Sequence, residues 1–224
     1  MAQTYVGSNN INLLYPSGQF GTRIMGGKDA ASSRYIFTKL PALTRLIFPP
    51  ADDGLLNYLQ DDGQSIEPQF YVPILPMVLV NGADGIGTGW SSSVPNYNPR
   101  EIVDNLRRMM GGEPTEPMTP WYRGYAGQIA AADAKGSAFT SFGSVSKLDS
   151  QTLHVSELPV RKWTQDYKDS VLEPLLGVAA DKDKKQEAVE AVLEDVREHH
   201  TDTTVSFSLR FKSEAHLEAA EAKG

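Results

Sequence analysis

The chain has 224 residues, of which 40% are hydrophobic and 22% are charged, and its formal net charge is −7 at pH 7. It contains no cysteine, which excludes disulfides and cysteine-based metal sites. No apolar run approaches the ~18 residues that cross a membrane, so the composition is that of a globular protein rather than a membrane-spanning chain or a secreted disulfide scaffold.

The charge is distributed unevenly, and this bears on the partners that the chain can bind. Residues 1–50 carry a net charge of +4, which leaves −11 for the remainder. The charged residues of this first part are Arg23, Lys28, Arg34, Lys39 and Arg45, opposed by Asp29 alone. Because salt screens exposed charges beyond about 10 Å, local charge decides whether phosphates bind. The N-terminal quarter is therefore compatible with a polyanionic partner.

A glycine-rich segment, Gly18 to Gly27, is the first distinct element along the chain. Its four glycines are Gly18, Gly21, Gly26 and Gly27. Glycine lets backbone N–H groups approach a phosphate closely and tolerates positive φ. We therefore predict a loop here rather than a helix or strand, and interpret it as a clamp for a phosphate backbone.

Tyr35 follows this loop and lies directly beside Arg34, in Arg34-Tyr35-Ile36-Phe37-Thr38. One interpretation, which these residues alone favour, is an ordinary strand whose tyrosine ring packs on the core while Arg34 extends to water. The other is a nucleophile. A phenol, with its ordinary pKa of about 10, needs a nearby cation to stabilise phenolate and phosphorane charge, and Arg34 supplies one.

The stretch from Tyr35 to Val80 predicts short elements. Tyr35 to Thr38 starts either a strand or a helix that runs on through Ile47, although Pro41 argues against an uninterrupted helix. Asp52 to Gln60 is predicted to be a short helix, and Met77 to Val80 a buried strand.

The glycine run from Asn81 to Gly89 imitates a dinucleotide-binding turn. Its core is Gly85-Ile86-Gly87-Thr88-Gly89, with the spacing G-x-G-x-G rather than G-x-G-x-x-G. The next helix starts near Asn98, so no helix N-terminus faces a pyrophosphate. These features oppose nucleotide binding, and from the residues alone Ile86 is expected to fill part of the core.

Asn98-Pro99-Arg100-Glu101 has the features of a helix start: an asparagine cap, proline at the first position and glutamate at the third. The helix is predicted to end at Gly111-Gly112. Its apolar stripe, expected to face inward, consists of Ile102, Val103, Leu106, Met109 and Met110.

The C-terminal part predicts a helix, a strand and a second helix. Asp181 to Glu198 is expected to be a solvated helix whose inward residues are Ala188, Val189, Val192 and Val196. Thr203 to Lys212 alternates strictly between apolar and polar residues, which predicts a half-buried strand. Ser213 to Glu221 has a helical pattern. His199 and His200 are interpreted as surface or packing residues, because neighbours on a helix face different sides and no third metal ligand is evident.

Six stretches carry a family resemblance, and they are Ala2 to Leu14, Gln19 to Arg23, Arg34 to Thr38, Pro76 to Trp90, Glu157 to Thr164 and His200 to Val205. In order and spacing they resemble the breakage-reunion region of eukaryotic-type DNA topoisomerase II. The resemblance covers nearly the whole chain and is weakest at about 130–147 and 177–194. Enzymes of that family are far longer, so we expect this chain to be an internal segment.

The resemblance implies an α+β fold with two domains. Residues 1–67 would form the C-terminal part of a winged-helix domain that carries the catalytic tyrosine. Residues 68–224 would form a mixed α/β tower domain, truncated at its C-terminal end.

The resemblance also implies roles for individual residues. Tyr35 would attack a DNA phosphate to form a 5′-phosphotyrosyl bond, and Arg34 would stabilise the transition state. Candidate contacts to the DNA backbone are Gln19, Arg23 and Lys28. Ile86 would wedge between base pairs and bend the duplex.

The enzyme implied is a nuclear, ATP-driven homodimer that passes one DNA duplex through a transient double-strand break in another. The resemblance further implies that Mg²⁺ and ATP bind domains outside this chain. The sequence itself shows no clustered acidic triad for Mg²⁺, and no metal ligand is predicted within it. An alternative function is a non-catalytic DNA-bending or docking module, since the chain lacks the groups that bind metal or ATP. A Rossmann-like cofactor enzyme already fails on glycine spacing.

Overall fold

The computed structural model of the chain describes residues 1–134, 136, 138–177 and 191–222. Helices and strands are mixed along the sequence, which confirms the expected α+β class. The chain divides into two compact units. The first comprises Met1–Thr4, Ser8–Phe20 and Ala31–Arg123, and the second comprises Tyr5–Gly7, Gly21–Ala30 and Gly124–Gly224.

The first unit contains three short two-stranded sheets, three α-helices and two 3₁₀ helices, which are Ser33–Tyr35 and Pro50–Leu55. In chain order its elements are β1 (Tyr15–Ser17), β2 (Phe37–Lys39), α1 (Ala42–Ile47), β3 (Tyr58–Asp61), β4 (Gln64–Pro68), α2 (Met77–Asn81), β5 (Ala83–Gly87), β6 (Trp90–Val94) and α3 (Pro99–Met110). The antiparallel pairs are β1 with β2, β3 with β4, and β5 with β6.

The starts of two helices of this unit can be compared with the sequence. Pro41 is extended immediately before α1, so no helix runs uninterrupted from Tyr35 to Ile47, as this proline led us to expect. The Asn98 side chain accepts a hydrogen bond from the Arg100 N–H at 3.0 Å and so caps α3. Of the predicted inward stripe of α3, Ile102 is buried, whereas Met109 and Met110 are exposed.

Two predicted elements of the first unit were wrong. Met77–Asn81 is a helix rather than a buried strand, and only Val80 within it is buried. Residues 50–55 form a 3₁₀ helix and Tyr58–Asp61 is a strand, where a single helix over Asp52 to Gln60 was predicted. Apolar runs this short carry too little periodicity to distinguish a helix from a strand, so their secondary structure depends on the tertiary contacts that they make.

The second unit is built around a four-stranded antiparallel sheet in the order β11-β12-β10-β9. Its elements in chain order are β7 (Gln128–Ala131), β8 (Phe139–Phe142), β9 (Ser144–Lys147), β10 (Thr152–Glu157), α4 (Thr164–Tyr167), a π-helical turn (Lys168–Leu172), α5 (Glu173–Leu175), β11 (Leu193–Glu198), β12 (Phe207–Phe211) and α6 (Glu214–Glu221). Strands β7 and β8 form a separate two-stranded sheet.

The core of the second unit lies on one face of this sheet. On β12, Phe207, Leu209 and Phe211 are buried and the intervening residues are not, which confirms the predicted half-buried strand over those five residues. Leu217 of α6 packs into the same cluster, and the helix itself confirms the helical pattern predicted from Ser213 to Glu221. The Ser213 side chain caps the helix by accepting a hydrogen bond from the His216 N–H.

The predicted helix over Asp181 to Glu198 was wrong where it can be compared. Leu193–Glu198 is strand β11, which pairs antiparallel with β12. Leu193 is buried and Val196 packs against the core. These apolar residues would also suit the inner face of a helix, but here they face the core from a strand. The predicted inward residues Ala188 and Val189 lie outside the described residues.

The predicted domain boundary at residues 67 and 68 falls inside the first compact unit, at the end of β4. The winged-helix and tower assignment stays a prediction. Among the described residues, no helix combines the length and apolar character that crossing a membrane requires.

Candidate functional site

Tyr35 ends a 3₁₀ turn, Ser33–Tyr35, that immediately precedes β2. Its N–H donates to the Ser32 carbonyl at 2.9 Å, which closes the turn. The side chain is 65% exposed, so the interpretation that its ring packs on the core was wrong. The turn withdraws Tyr35 from the strand and presents the phenol to solvent, where a large substrate can reach it.

Arg34 is the cation closest in sequence to this phenol, and the structure brings the two side chains together. The guanidinium carbon lies 4.9 Å from the centroid of the Tyr35 ring, in a cation–π arrangement. Both side chains are exposed. A guanidinium in this position attracts negative charge that develops on the phenol or on a phosphate beside it.

Gln19 lies in the loop that follows β1, next to the residues around Tyr35. Its carbonyl accepts the Ala31 N–H at 3.0 Å, and the residue is exposed. The neighbouring Gly18 has φ +115°, and a Cβ there would come within 2.8 Å of the Ile36 side chain. Close packing beside Tyr35 therefore requires glycine at this position, independently of any phosphate.

Arg23 does not occupy the predicted position at a DNA surface. The residue is only 4% exposed, and its guanidinium forms an ion pair with the equally buried Glu157. It also donates to the Leu158 carbonyl at 3.2 Å. Glu157 in turn accepts the Leu158 and Ala126 N–H groups, so its oxygens are well satisfied. Arg23 is therefore a structural cation of the second unit rather than a backbone contact.

Lys28 is exposed, as a phosphate-binding lysine must be. Its Nζ lies 3.9 Å from a carboxylate oxygen of Asp166. The adjacent Asp29 accepts the N–H and hydroxyl of Thr22 at 2.8 and 2.5 Å. Burial opposes ionisation of Asp29, but these hydrogen bonds outweigh it and hold the pKa of the Asp29 carboxyl below its ordinary value.

Ile86 lies on the β5–β6 hairpin and is 95% exposed, so the expectation that it fills the core was wrong. It pairs with Ser91 across the hairpin. Asn81, which precedes the hairpin, donates to and accepts from the backbone of Ile11 at 2.8 and 2.9 Å. The hairpin therefore projects an apolar side chain from an anchored base, which is the geometry that a wedge requires.

Sequence reasoning missed Trp90, which is 84% exposed on the same hairpin. It pairs with Gly87, one register position from Ile86, and thus lies on the opposite face of the ribbon. A tryptophan next to a glycine-rich turn was the available signal. The same hairpin removes the dinucleotide alternative, because Gly85 and Gly87 lie within a strand rather than at a helix N-terminus.

No candidate metal site was found in the part of the chain that the structure describes. There, no group of three or more histidine and acidic side chains lies close enough to hold an ion. The His200 ring packs 5.2 Å from the Phe207 ring, and His199 is exposed. These positions match the predicted packing and surface roles.

Comparison with protein families identifies the class of chain. A family model that describes the A subunit of DNA gyrase/topoisomerase IV matches residues 1–223. The match therefore includes Tyr35, Arg34 and the β5–β6 hairpin.

Curated relatives and a solved structure agree with this match. The chain is 54% identical over 210 residues to DNA topoisomerase 2 top-2 of Caenorhabditis elegans, covering 94% of this chain and 13% of that protein. It is 52% identical over 219 residues to human DNA topoisomerase 2-alpha, covering 98% of this chain and 14% of that protein. A Plasmodium falciparum topoisomerase II DNA-binding, cleavage and re-ligation domain superposes with a TM-score of 0.87 at 46% identity, covering all of this chain and 29% of that one.

Proposed function

Because the chain belongs to the DNA gyrase/topoisomerase IV A-subunit family, we propose that it supplies the DNA-breaking tyrosine of an ATP-dependent type II DNA topoisomerase. The observation that carries this proposal is the exposed Tyr35 phenol with the Arg34 guanidinium 4.9 Å from its ring centroid. The chain spans 13–14% of the length of the curated relatives described above, so strand passage belongs to a larger assembly.

The proposed reaction is a transesterification. The Tyr35 hydroxyl oxygen attacks a phosphodiester phosphorus and loses its proton to solvent, while the bond from phosphorus to the 3′ oxygen breaks. The 3′ oxygen takes up a proton and becomes a hydroxyl, and the 5′ end stays joined to Tyr35. The reverse attack by the 3′ hydroxyl restores the DNA strand, so no oxidant or external energy source is needed for resealing.

Arg34 is proposed to stabilise the charge of this transition state. Negative charge develops on the non-bridging phosphate oxygens as the fifth bond to phosphorus forms. A guanidinium held beside the phenol meets that charge without a further search for position, and its planar donors suit phosphate oxygens.

The experiment that tests the assignment is chemical identification of the adduct. The enzyme that contains this segment is incubated with DNA and denatured, and nuclease and protease digestion leaves a nucleotide-bearing peptide for mass spectrometry. We expect the nucleotide on Tyr35. A nucleotide on another residue, or no adduct under conditions of supercoil relaxation, would refute the proposal.

Mg²⁺ and ATP are proposed to bind other parts of the enzyme. The described residues contain no cluster of three or more histidine and acidic groups that could hold an ion. This chain alone, given Mg²⁺ and supercoiled DNA, should therefore neither cleave nor relax it. Metal-dependent cleavage by the chain alone would contradict this location of the metal.

Double-stranded DNA is the proposed partner, and the complete enzyme is proposed to be a nuclear homodimer. Each polypeptide with one Tyr35 can break one strand, so a double-strand break needs two copies. Equilibrium sedimentation of the complete enzyme as a monomer would contradict the dimer. A tagged protein excluded from the nucleus would contradict the location.

A non-catalytic DNA-bending module is the second candidate function, and the exposed hairpin favours it. Ile86 is 95% exposed on one face of the two-stranded ribbon and Trp90 is 84% exposed on the other, and an exposed apolar side chain of this kind suits insertion between bases. Bending of DNA without any covalent adduct would support this function over breakage.

A further inference from the structure

We propose that Trp163 is a positioning residue that holds the turn Gly26-Gly27-Lys28 in place, so that Lys28 faces a DNA phosphate, and that Asp166 binds the Lys28 ammonium when DNA is absent. The inference rests on the proposed DNA-binding function. All the groups involved belong to the second compact unit.

The contact between Gly26 and Trp163 is the first support. Gly26 has φ +61°, and a Cβ at this position would overlap the indole atoms Cε2 and Nε1 of Trp163. Gly7, with φ +88°, also lies beside this indole, and a Cβ there would be 3.4 Å from Cη2. The Tyr5 ring packs edge-on against Trp163, with 5.8 Å between centroids. The close approach of the Gly26 backbone to the indole therefore requires glycine at that position.

Other anchors restrict the same loop on either side of the turn. The Ile24 carbonyl accepts the Gln165 N–H at 3.0 Å, which ties the loop to the first turn of α4. Thr22 and Asp29 close the loop by two hydrogen bonds, at 2.8 and 2.5 Å. With its backbone restrained at both ends and at Gly26, the turn loses little further conformational freedom when Lys28 binds a ligand.

Asp166 supplies the group that Lys28 meets in the absence of DNA. It lies in the first turn of α4, three residues after Trp163, and its carboxylate is 3.9 Å from Lys28 Nζ. Both side chains are largely exposed, so water screens the pair and its free energy is small. A phosphate can therefore displace Asp166 from the Lys28 ammonium at little free-energy cost.

The test is a double-mutant cycle on DNA binding by the complete enzyme, measured as the slope of log affinity against log salt concentration. Lys28→Ala should reduce the magnitude of that slope by about 0.9 for each Lys28 that contacts DNA, because each neutralised phosphate contributes about that much to the slope. Trp163→Ala should reduce it by a similar amount, and the double variant should lose no more than either single variant. Asp166→Asn should bind DNA about two- to fivefold more tightly at low salt.

Matched controls come from the exposed pair Lys147–Glu221, whose charged atoms are 3.8 Å apart. Lys147→Ala and Glu221→Gln should leave affinity and slope unchanged. Trp163→Phe, which keeps an aromatic ring beneath Gly26, should retain most of the Lys28 contribution and guards against simple unfolding of the alanine variant. Thermal unfolding of each variant checks that the fold is intact.

Two outcomes would overturn the inference in different ways. An unchanged slope for Lys28→Ala would show that Lys28 makes no phosphate contact, whatever the role of Tyr35. Additive losses in the double variant would show that Lys28 acts without Trp163, so that Trp163 is structural only. Absence of a Tyr35 adduct, by contrast, would refute the proposed enzyme function and leave the cycle on DNA binding interpretable.

Discussion

Arg23 and Glu157, 134 residues apart in sequence, form a buried ion pair inside the second unit. The two side chains are 5% and 4% exposed. Removing one partner of a buried pair leaves an uncompensated charge, which costs about 3–5 kcal/mol of stability. We therefore expect Arg23→Ala or Glu157→Ala to lower the free energy of unfolding by about that amount, measured by urea denaturation.

The exposed pair Arg210–Glu194, at 2.9 Å, is the matched control for this prediction. Because solvent-exposed ion pairs contribute little, Arg210→Ala should change stability by less than about 1 kcal/mol. Equal losses for Arg23→Ala and Arg210→Ala would contradict the argument from burial.

Tyr35→Phe in the complete enzyme should leave DNA affinity nearly unchanged and abolish the covalent adduct. The ring is 65% exposed, so losing the hydroxyl disturbs little packing while it removes the attacking oxygen. Adduct trapping with denaturant measures the effect, and a filter-binding titration serves as the control. Adduct formed by the phenylalanine variant would remove Tyr35 from the mechanism.

Arg34→Ala should slow cleavage by at least about a hundredfold, the scale seen when one preorganised stabiliser of transition-state charge is lost. The guanidinium lies 4.9 Å from the Tyr35 ring centroid, so its removal acts at the reacting group. Single-turnover cleavage rates at saturating DNA measure the effect. The matched control is Arg100→Ala, which alters an exposed arginine of α3 and should leave the rate unchanged.

Ile86→Ala should reduce DNA bending more than affinity at low salt. Phosphate contacts supply most of the binding free energy, whereas an inserted apolar side chain mainly deforms the duplex. Fluorescence transfer between dyes at the two DNA ends measures the bend. Val78→Ala, which truncates a half-exposed residue of α2, is the control. Equal end-to-end distances for wild type and Ile86→Ala would reject the wedge.

The lowered pKa of Asp29 should make the free energy of unfolding depend on pH. Its pKa is lower in the folded chain than its ordinary value, because the hydrogen bonds from Thr22 favour the carboxylate more than burial disfavours it. The folded state therefore binds this proton less readily than the unfolded state. The stabilisation is fully present above the ordinary pKa of 3.8 and is lost as pH falls through the depressed value.

The comparison of wild type with Asp29→Asn measures this effect. The difference in free energy of unfolding between the two proteins should be largest near pH 7 and should shrink below about pH 4. Asp149→Asn is not a suitable control, since the pKa of Asp149 is also lowered by hydrogen bonds, chiefly from the Gln151 N–H. A difference that grows on acidification would contradict the sign.

The amino-acid sequence alone determined the structural features that depend on interactions between residues only a few positions apart. The Asn98 cap of α3, the helical pattern of α6 and the alternation of Phe207–Phe211 all follow from such short-range patterns. The pairing of Arg34 with Tyr35 belongs to the same class, because neighbours along the chain cannot be far apart. These are the features that the sequence predicted correctly.

Only the tertiary structure decided the features whose partners are distant in sequence. No residue near Arg23 in sequence indicates that Arg23 will be buried in an ion pair with Glu157. Likewise, no residue near Ile86 indicates that the Ile86 side chain will be exposed on a hairpin. Leu193–Glu198 has an amphipathic composition that suits a helix, yet pairing with β12 makes it a strand. Burial and strand register depend on which surfaces pack together after the chain folds. Contacts between residues distant in sequence override local helix and strand propensities, so the local sequence on either side does not predict them.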